Sequence, residues 1–338
     1  MSRLAVAVVV VVVLAALPLY LESFWLQTAL FAMAAMVAAI GLSLLVGIAG
    51  QLSLAHAFFV AIGAYGYSYL AERIAPLLAL IAAVLLAGLA GALFSPISGR
   101  VKGIYLGLAS LGLVFLGQHI LQNATGITGG YSGIAVPPFE LFGFSFSGTS
   151  PDSLVILGVP FGALERLWYL GVVLVAVAVW YGRNLVRSRP GRALATLRDS
   201  EVAAEVMGVD VVRYRAAAFC VSSMYAGLGG VLMALAFGRI VPESFGLLLS
   251  IDFLVMIVIG GAGSVGGAAA GALFVTALPL VLNHYSGSLP LLAEPGTGGV
   301  GAAEFSRFVY GAAIVAVLLF ARGGLAGLAA RARKERVA

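Results

Sequence analysis

The sequence predicts an all-α integral membrane protein of about ten transmembrane helices. Three observations predict it. Hydrophobic residues make up 62% of the 338 and charged residues only 10%, which is not a soluble composition. Apolar runs of roughly 18 to 25 residues, the length that spans a bilayer, recur along the chain. The one long polar stretch, Arg183 to Arg215, gathers seven arginines and four acids (Asp199, Glu201, Glu205 and Asp210) into a single loop.

Taken in order, the first four spans are placed at 4–21, 26–48, 53–71 and 76–97. The others follow at 103–121, 164–183, 211–238, 247–262, 265–284 and 301–321. The first span begins just after Arg3 and carries 18 apolar residues, longer than the hydrophobic region of a secretory signal. It is read as a retained helix with its N-terminus in the cytoplasm. That orientation puts fifteen basic residues inside: Arg3, Arg100, Lys102, the seven of the polar stretch, and Arg322, Arg331, Arg333, Lys334 and Arg336. Four fall outside: Arg73, Arg166, Arg239 and Arg307. Cytoplasmic loops collect Lys and Arg, so both termini are expected in the cytoplasm. The net charge of +5 then reflects topology, and no nucleic-acid partner is expected. The chain reads as one transmembrane domain over 1–338, with a cytoplasmic segment at about 184–210, a long outer loop at about 122–163 and a basic cytoplasmic tail at 322–338.

Within the cytoplasmic segment, Pro190 and Gly191 punctuate the chain. From Arg192 to Met207 a short amphipathic helix is expected. Its apolar positions Ala193, Leu194, Leu197, Val202, Val206 and Met207 recur at roughly helical spacing between charges. A membrane protein that keeps one such helix in one loop needs it to touch something. The outer loop contains no Lys or Arg but carries GITGGYSGI, Pro137-Pro138, Glu140 and Asp152. It is either a lid or re-entrant piece, covered by protein or a wet cavity, or a plain solvated connection.

Glycine, 44 of 338 residues, is spread through the spans. Gly263, Gly267 and Gly271 form one small-residue ridge, and Gly99, Gly103 and Gly107 another. Such ridges let helix backbones approach closely in lipid. Gly47-Ile-Ala-Gly50 and Gly260-Gly-Ala-Gly263 each end a span at an uncharged inner turn, the paired glycine-interrupted pattern that marks transporter cores.

Enzyme motifs are missing. A P-loop needs lysine followed by Ser or Thr, and Lys102 and Lys334 precede Gly103 and Glu335. No catalytic residue and no bound cofactor are expected, so any ATP is handled by another polypeptide. His56, His119 and His284 lack ligand partners at metal-binding spacing, so no metal is expected. Cys220 stands alone, which excludes an internal disulfide. Asp252, the acid closest to the interior of a span, is either a functional carboxylate in the membrane or is accounted for by Ser250 capping the span with Asp252 in its first turn. Gln51, Ser53 and His56 form the most polar point of the early spans. Gln51 and Ser53 cap the third span or line a translocation path, and His56 bonds a neighbouring helix or meets the path.

Several blocks, in order along the chain, resemble the LivM-type permeases of branched-chain amino acid ABC importers: GLSLLVGIAGQLSLAHAFFVAIGAY (41–65), KGIYLGLASLGLVFL (102–116), TGITGGYSGI (125–134), GRALATLRDSEVAAEVMGVDVVRYRAAAF (191–219), SIDFLVMIVIGGAGSVGGAAAGALF (250–274) and the tail RGGLAGLAARARKER. The resemblance implies a subunit of a bacterial or archaeal cytoplasmic membrane importer. It would pair with a homologous second permease in the lipid bilayer, above two cytoplasmic ATPase subunits and below a periplasmic or extracellular substrate-binding protein. The family's coupling segment falls on Arg192 to Gly208 and includes Leu197. Glu201-Val202-Ala203-Ala204 with Gly208 is similar to the EAA-and-Gly loop of importers, with one residue inserted between Glu and Ala. Glu201 or Glu205 therefore fills the acidic position. The turn Thr128-Gly129-Gly130 fits the family pattern and is placed on the docking side or the pathway.

Other readings stay open. Urea, short-amide and some sugar permeases share this architecture, and nothing in the sequence specifies a leucine-shaped pocket. An ATP-independent channel or carrier is a reading of a different class, and a membrane scaffold is a third.

Overall fold

The computed structural model describes residues 12–101, 103–147, 154–156, 159–285, 301–320 and 323–328. The start of the first expected span, Arg3, Lys102, Asp152, Arg322 and the tail from 329 lie outside the described residues. Each span expected after the first has its helix: α1 (Ser23–Leu42), α2 (His56–Leu70), α3 (Pro76–Arg100), α4 (Ile104–Asn123), α5 (Ala163–Arg187), α8 (Val211–Phe237), α9 (Leu247–Gly260), α10 (Val265–His284) and α11 (Ala302–Phe320). Two short helices, α6 (Arg189–Asp199) and α7 (Glu201–Val206), lie between α5 and α8. Among the described residues α1 with its extension to Ile48, α3, α4, α5, α8 and α10 are long and apolar enough to cross a membrane. The chain is a multi-pass membrane protein.

Helix α8 runs through the middle of the bundle, packed against α1, α2 and α3. Small residues bring these backbones together. Gly230 of α8 faces the Val60 carbonyl of α2, and Gly229 faces Ala34 and Ala38 of α1, with no room for a Cβ at Gly230. Lipid offers little hydrophobic drive between helices, so this close van der Waals contact is what holds them. Gly267 and Gly271 do the same for α10 against Gly260 and Met256 of α9. Gly263 belongs to the turn before α10, at φ +86°, so the expected three-glycine ridge is helical only at Gly267 and Gly271. The expected ridge at Gly99, Gly103 and Gly107 is not continuous either. Helix α3 ends at Arg100, and Gly103 precedes α4 with φ +60°, a conformation glycine adopts without steric cost.

The outer loop carries small strands. β1 (Ile134–Ala135) pairs antiparallel with β6 (Arg239–Ile240), which follows α8. β2 (Glu140–Leu141) pairs with β3 (Phe144–Ser145), and β4 (Leu154–Ile156) with β5 (Val159–Phe161). Arg166, expected on the outer side, is buried. Its guanidinium donates to Ser145 O at 2.7 Å and Gly162 O at 3.1 Å, tying β3 to the start of α5.

Candidate coupling site and translocation core

The core of the candidate site is the distorted end of the second span. Helix α1 loosens into a π-helical turn at Ser43–Ile48, a distortion often found where helices do work. Residues 49–55 then form no regular helix, and α2 begins at His56. The sequence places the start of the third span at 53, where Ser53 or Gln51 would cap it. Three residues come off that helix because the amide of Ala57 in its first turn is satisfied by Ser250 Oγ of α9, at 3.1 Å. At 15 residues and about 1.5 Å per residue, α2 is about 22 Å long, short of a full bilayer core. Its first residue lies beside the C-terminal part of α1, where His56 Nε2 donates to Ala38 O at 2.8 Å, and its ring meets Phe253 edge-on at 5.1 Å.

Ser250 therefore does not cap its own helix. That helix starts three residues earlier, after Gly246, which leaves Asp252 beyond the first turn and without the dipole contact expected for it. Ser43 is the counterpart of Ser250. Its hydroxyl accepts from Gly263 N, in the turn between α9 and α10, at 3.0 Å. The two glycine-interrupted turns paired in the sequence touch, because Gly47 packs on the backbone of Gly263 with no room for a Cβ.

Ser53 is buried, and its hydroxyl accepts from Ala55 N at 3.3 Å. Gln51 is 4% exposed, and among the described residues neither polar atom of its side chain has a partner. It lines a cavity of about 270 Å³ shared with Gly50, Gly103, Arg198, Glu201 and Arg215.

The polar segment between α5 and α8 is two helices, not the single one expected from Arg192 to Met207. The first starts at Arg189 because Ser188 Oγ accepts from Gly191 N and Pro190 fits a first turn, where its missing amide is no loss. The second starts after Ser200, whose extended backbone breaks the path and whose hydroxyl accepts from Ala203 N at 3.2 Å. Two small rods held by serine caps replace one amphipathic rod.

The expected coupling residues divide into anchors and surface. Leu197 and Ala204 are buried among Leu45, Leu106 and Phe219. Glu201 pairs with Arg215 of α8 at 3.2 Å, and Arg192 donates to Arg187 O at 2.8 Å. Ala203, Glu205 and Gly208 face solvent, Gly208 at φ +80°. Beside them Val202, Val206 and Met207 are 71%, 83% and 74% exposed, an apolar knob on an otherwise charged loop. Arg198 was not singled out in the sequence. It donates to Gly47 O at 2.6 Å and pairs with Asp199.

The turn Thr128-Gly129-Gly130 lies away from this junction. The Thr128 hydroxyl sits 2.6 Å from Leu121 O and 2.9 Å from Ala124 O and accepts from Gly130 N. Its polar atoms are committed to the turn. Gly129 and Gly130 have φ of +69° and +56°, which explains the paired glycines.

Residues 24–318 match the family described as branched-chain amino acid transport system / permease component. The chain is 34% identical over 67% of its length to the high-affinity branched-chain amino acid transport system permease protein LivM of Escherichia coli strain K12. It is 33% identical over 67% to the LivM protein of Salmonella typhimurium strain LT2, and 25% identical over 62% to a probable LivM of Methanocaldococcus jannaschii. The matches span 56% of the length of each of these relatives. With most of its length matched, this chain belongs to the family of branched-chain amino acid transport system permease components.

Proposed function

We propose that the chain is a permease subunit of an ATP-driven importer for branched-chain or other neutral amino acids, with ATP hydrolysed by partner subunits. The observation that carries this reading is the exposed apolar knob of Val202, Val206 and Met207, held on a loop whose own core is buried. Exposed apolar clusters rimmed by charge mark protein contacts, and a knob on the arginine-rich side suits a cytoplasmic ATPase. A homologous second permease and an outer substrate-binding protein complete the assembly, and both termini lie in the cytoplasm.

The mechanism follows from what the knob is tied to. Arg198 joins α6 to the end of the π-helical turn, and that turn packs on the α9–α10 turn through Gly47 and Gly263. A push on α7 is delivered to both broken segments of the core at once. Rocking of such segments against each other opens the path to alternate sides.

The test is reconstitution of the chain with its second permease, two ATPases and binding protein in vesicles. Uptake of L-leucine that needs ATP and the binding protein is the expected result. Uptake at full rate without nucleotide would replace this reading with that of a channel or carrier.

A further inference from the structure

A half-open cavity of about 270 Å³ lies between α1, α8, α9 and α10. It plays no part in the coupling path described above. Aromatic residues line it from four helices: Phe31 of α1, Phe237 of α8, Phe253 of α9 and Tyr310 of α11. The rings of Phe31 and Phe237 lie 4.6 Å apart. Among the described lining residues Asp252 is the one carboxylate, and none is Lys or Arg.

We infer that this cavity is a binding site for an organic ammonium group carried on a small aliphatic body, with Asp252 as its counter-charge. The inference rests on the amino-acid importer reading and adds the end of the solute that is held and the residue that holds it. A carboxylate set among apolar helices is costly and needs a partner. No hydrogen bond or ion pair among the described residues reaches Asp252. Arg307 of α11 acts on it electrostatically but is exposed and does not line the cavity. The chemistry of the walls narrows the missing partner. Aromatic faces with a nearby carboxylate recognise ammonium groups. Calcium or magnesium wants six or more oxygens and zinc wants His or Cys ligands, and the described lining offers neither. A lipid tail would leave the carboxylate unpaired, and a sugar would need many more polar groups than the lining provides. Thr276 adds one buried hydroxyl without a partner. The aliphatic remainder of the solute fills the apolar volume, and the unpartnered Thr276 hydroxyl is the donor left for a carboxylate that the solute carries.

The experiment has two arms, both on the assembled importer. In the first, thermal unfolding is followed with isopentylamine or, as the uncharged match in shape, isopentanol. The amine is expected to raise the melting temperature of the wild-type complex and the alcohol not to. Asp252→Asn should weaken the amine response about tenfold or more, as loss of a charge-assisted contact does, and Asp252→Glu should restore part of it. Equal responses to amine and alcohol, no response to the amine, or an unchanged response in Asp252→Asn would overturn the inference. The wild-type comparison of the two ligands needs no variant to fold. In the second arm, uptake of L-leucine in vesicles should fall about tenfold in Asp252→Asn, and uptake at the wild-type rate and affinity would overturn the inference. If the wild-type importer moves no leucine at all, the proposed substrate fails, while the amine arm still decides the cavity.

Discussion

The guanidinium of Arg198 lies 2.6 Å from the carbonyl oxygen of Gly47, 151 residues earlier in the chain. The last carbonyls of a helix have no partner within it, and Gly47 sits in the final π-helical turn of the extended α1. One side chain of the polar loop thus completes the end of a membrane helix. Gly50, at φ +67° and packed on the Arg198 stem, lets the chain turn away beneath it. The contact joins the arginine-rich loop to the irregular segment between α1 and α2.

Arg198→Gln should therefore uncouple the importer. The variant keeps the stem against Gly50 but loses the charge and the fork. We expect the complex to assemble and to hydrolyse ATP, while uptake falls about tenfold, the scale of one charge-assisted hydrogen bond. Parallel measurement of hydrolysis and uptake in the same vesicles checks it. Uptake and hydrolysis falling together would place Arg198 in assembly, not in transmission.

The knob and its anchor should respond differently to substitution. Val206→Asp and Met207→Asp place charge on side chains that are already exposed, so permease stability should stay within about 0.5 kcal/mol. Binding of the ATPase should weaken about tenfold or more if these side chains sit at the centre of the contact. Ala204→Glu, in contrast, buries a charge at a position with no exposure and should unfold the segment. Co-purification and thermal unfolding of the same variants separate the two effects.

The glycine contact between α9 and α10 admits a direct stability test. A Cβ at Gly271 would meet the Met256 carbonyl of α9, and backbone cannot move aside as a flexible side chain can. Overpacking of this kind costs about 1 to 3 kcal/mol. Gly271→Ala should lower the melting temperature of the detergent-solubilised protein. Gly266→Ala, one turn earlier on the same helix and with open space around it, should leave it nearly unchanged.

Much of this was legible in the sequence. Span positions followed from apolar runs, since a bilayer demands length and hydropathy and little else. The two glycine-interrupted turns were legible as a pair, though not as touching each other. What escaped was everything set by contacts across the chain. Ser250 reads as the cap of its own helix, because capping signals are local, yet the amide it satisfies belongs to Ala57, 193 residues away. Asp252 lost its local explanation for the same reason. Arg198 reads as one arginine among seven, and its partner is a backbone carbonyl that no side-chain pattern reports. The split of the cytoplasmic helix at Ser200 was hidden because the apolar spacing continues through it. A serine followed by Glu201 was the available signal of a new start.

Gln51 carries the last prediction. Its carboxamide is buried with neither atom paired, next to the cavity bounded by Arg198, Glu201 and Arg215. An unmade hydrogen bond of this kind costs about 1 to 3 kcal/mol, and an apolar side chain of similar size avoids that cost. Gln51→Leu should accordingly raise the stability of this conformation and the melting temperature with it. A side chain that is costly where it stands is accounted for if it finds partners once α6 and α7 move. In that case the stabilised variant transports more slowly, because one state of the cycle has been favoured over the other. Melting temperature and turnover measured on the same preparation decide the matter. A variant that is more stable and transports as fast as wild type would leave Gln51 a cost of packing with no part in the cycle.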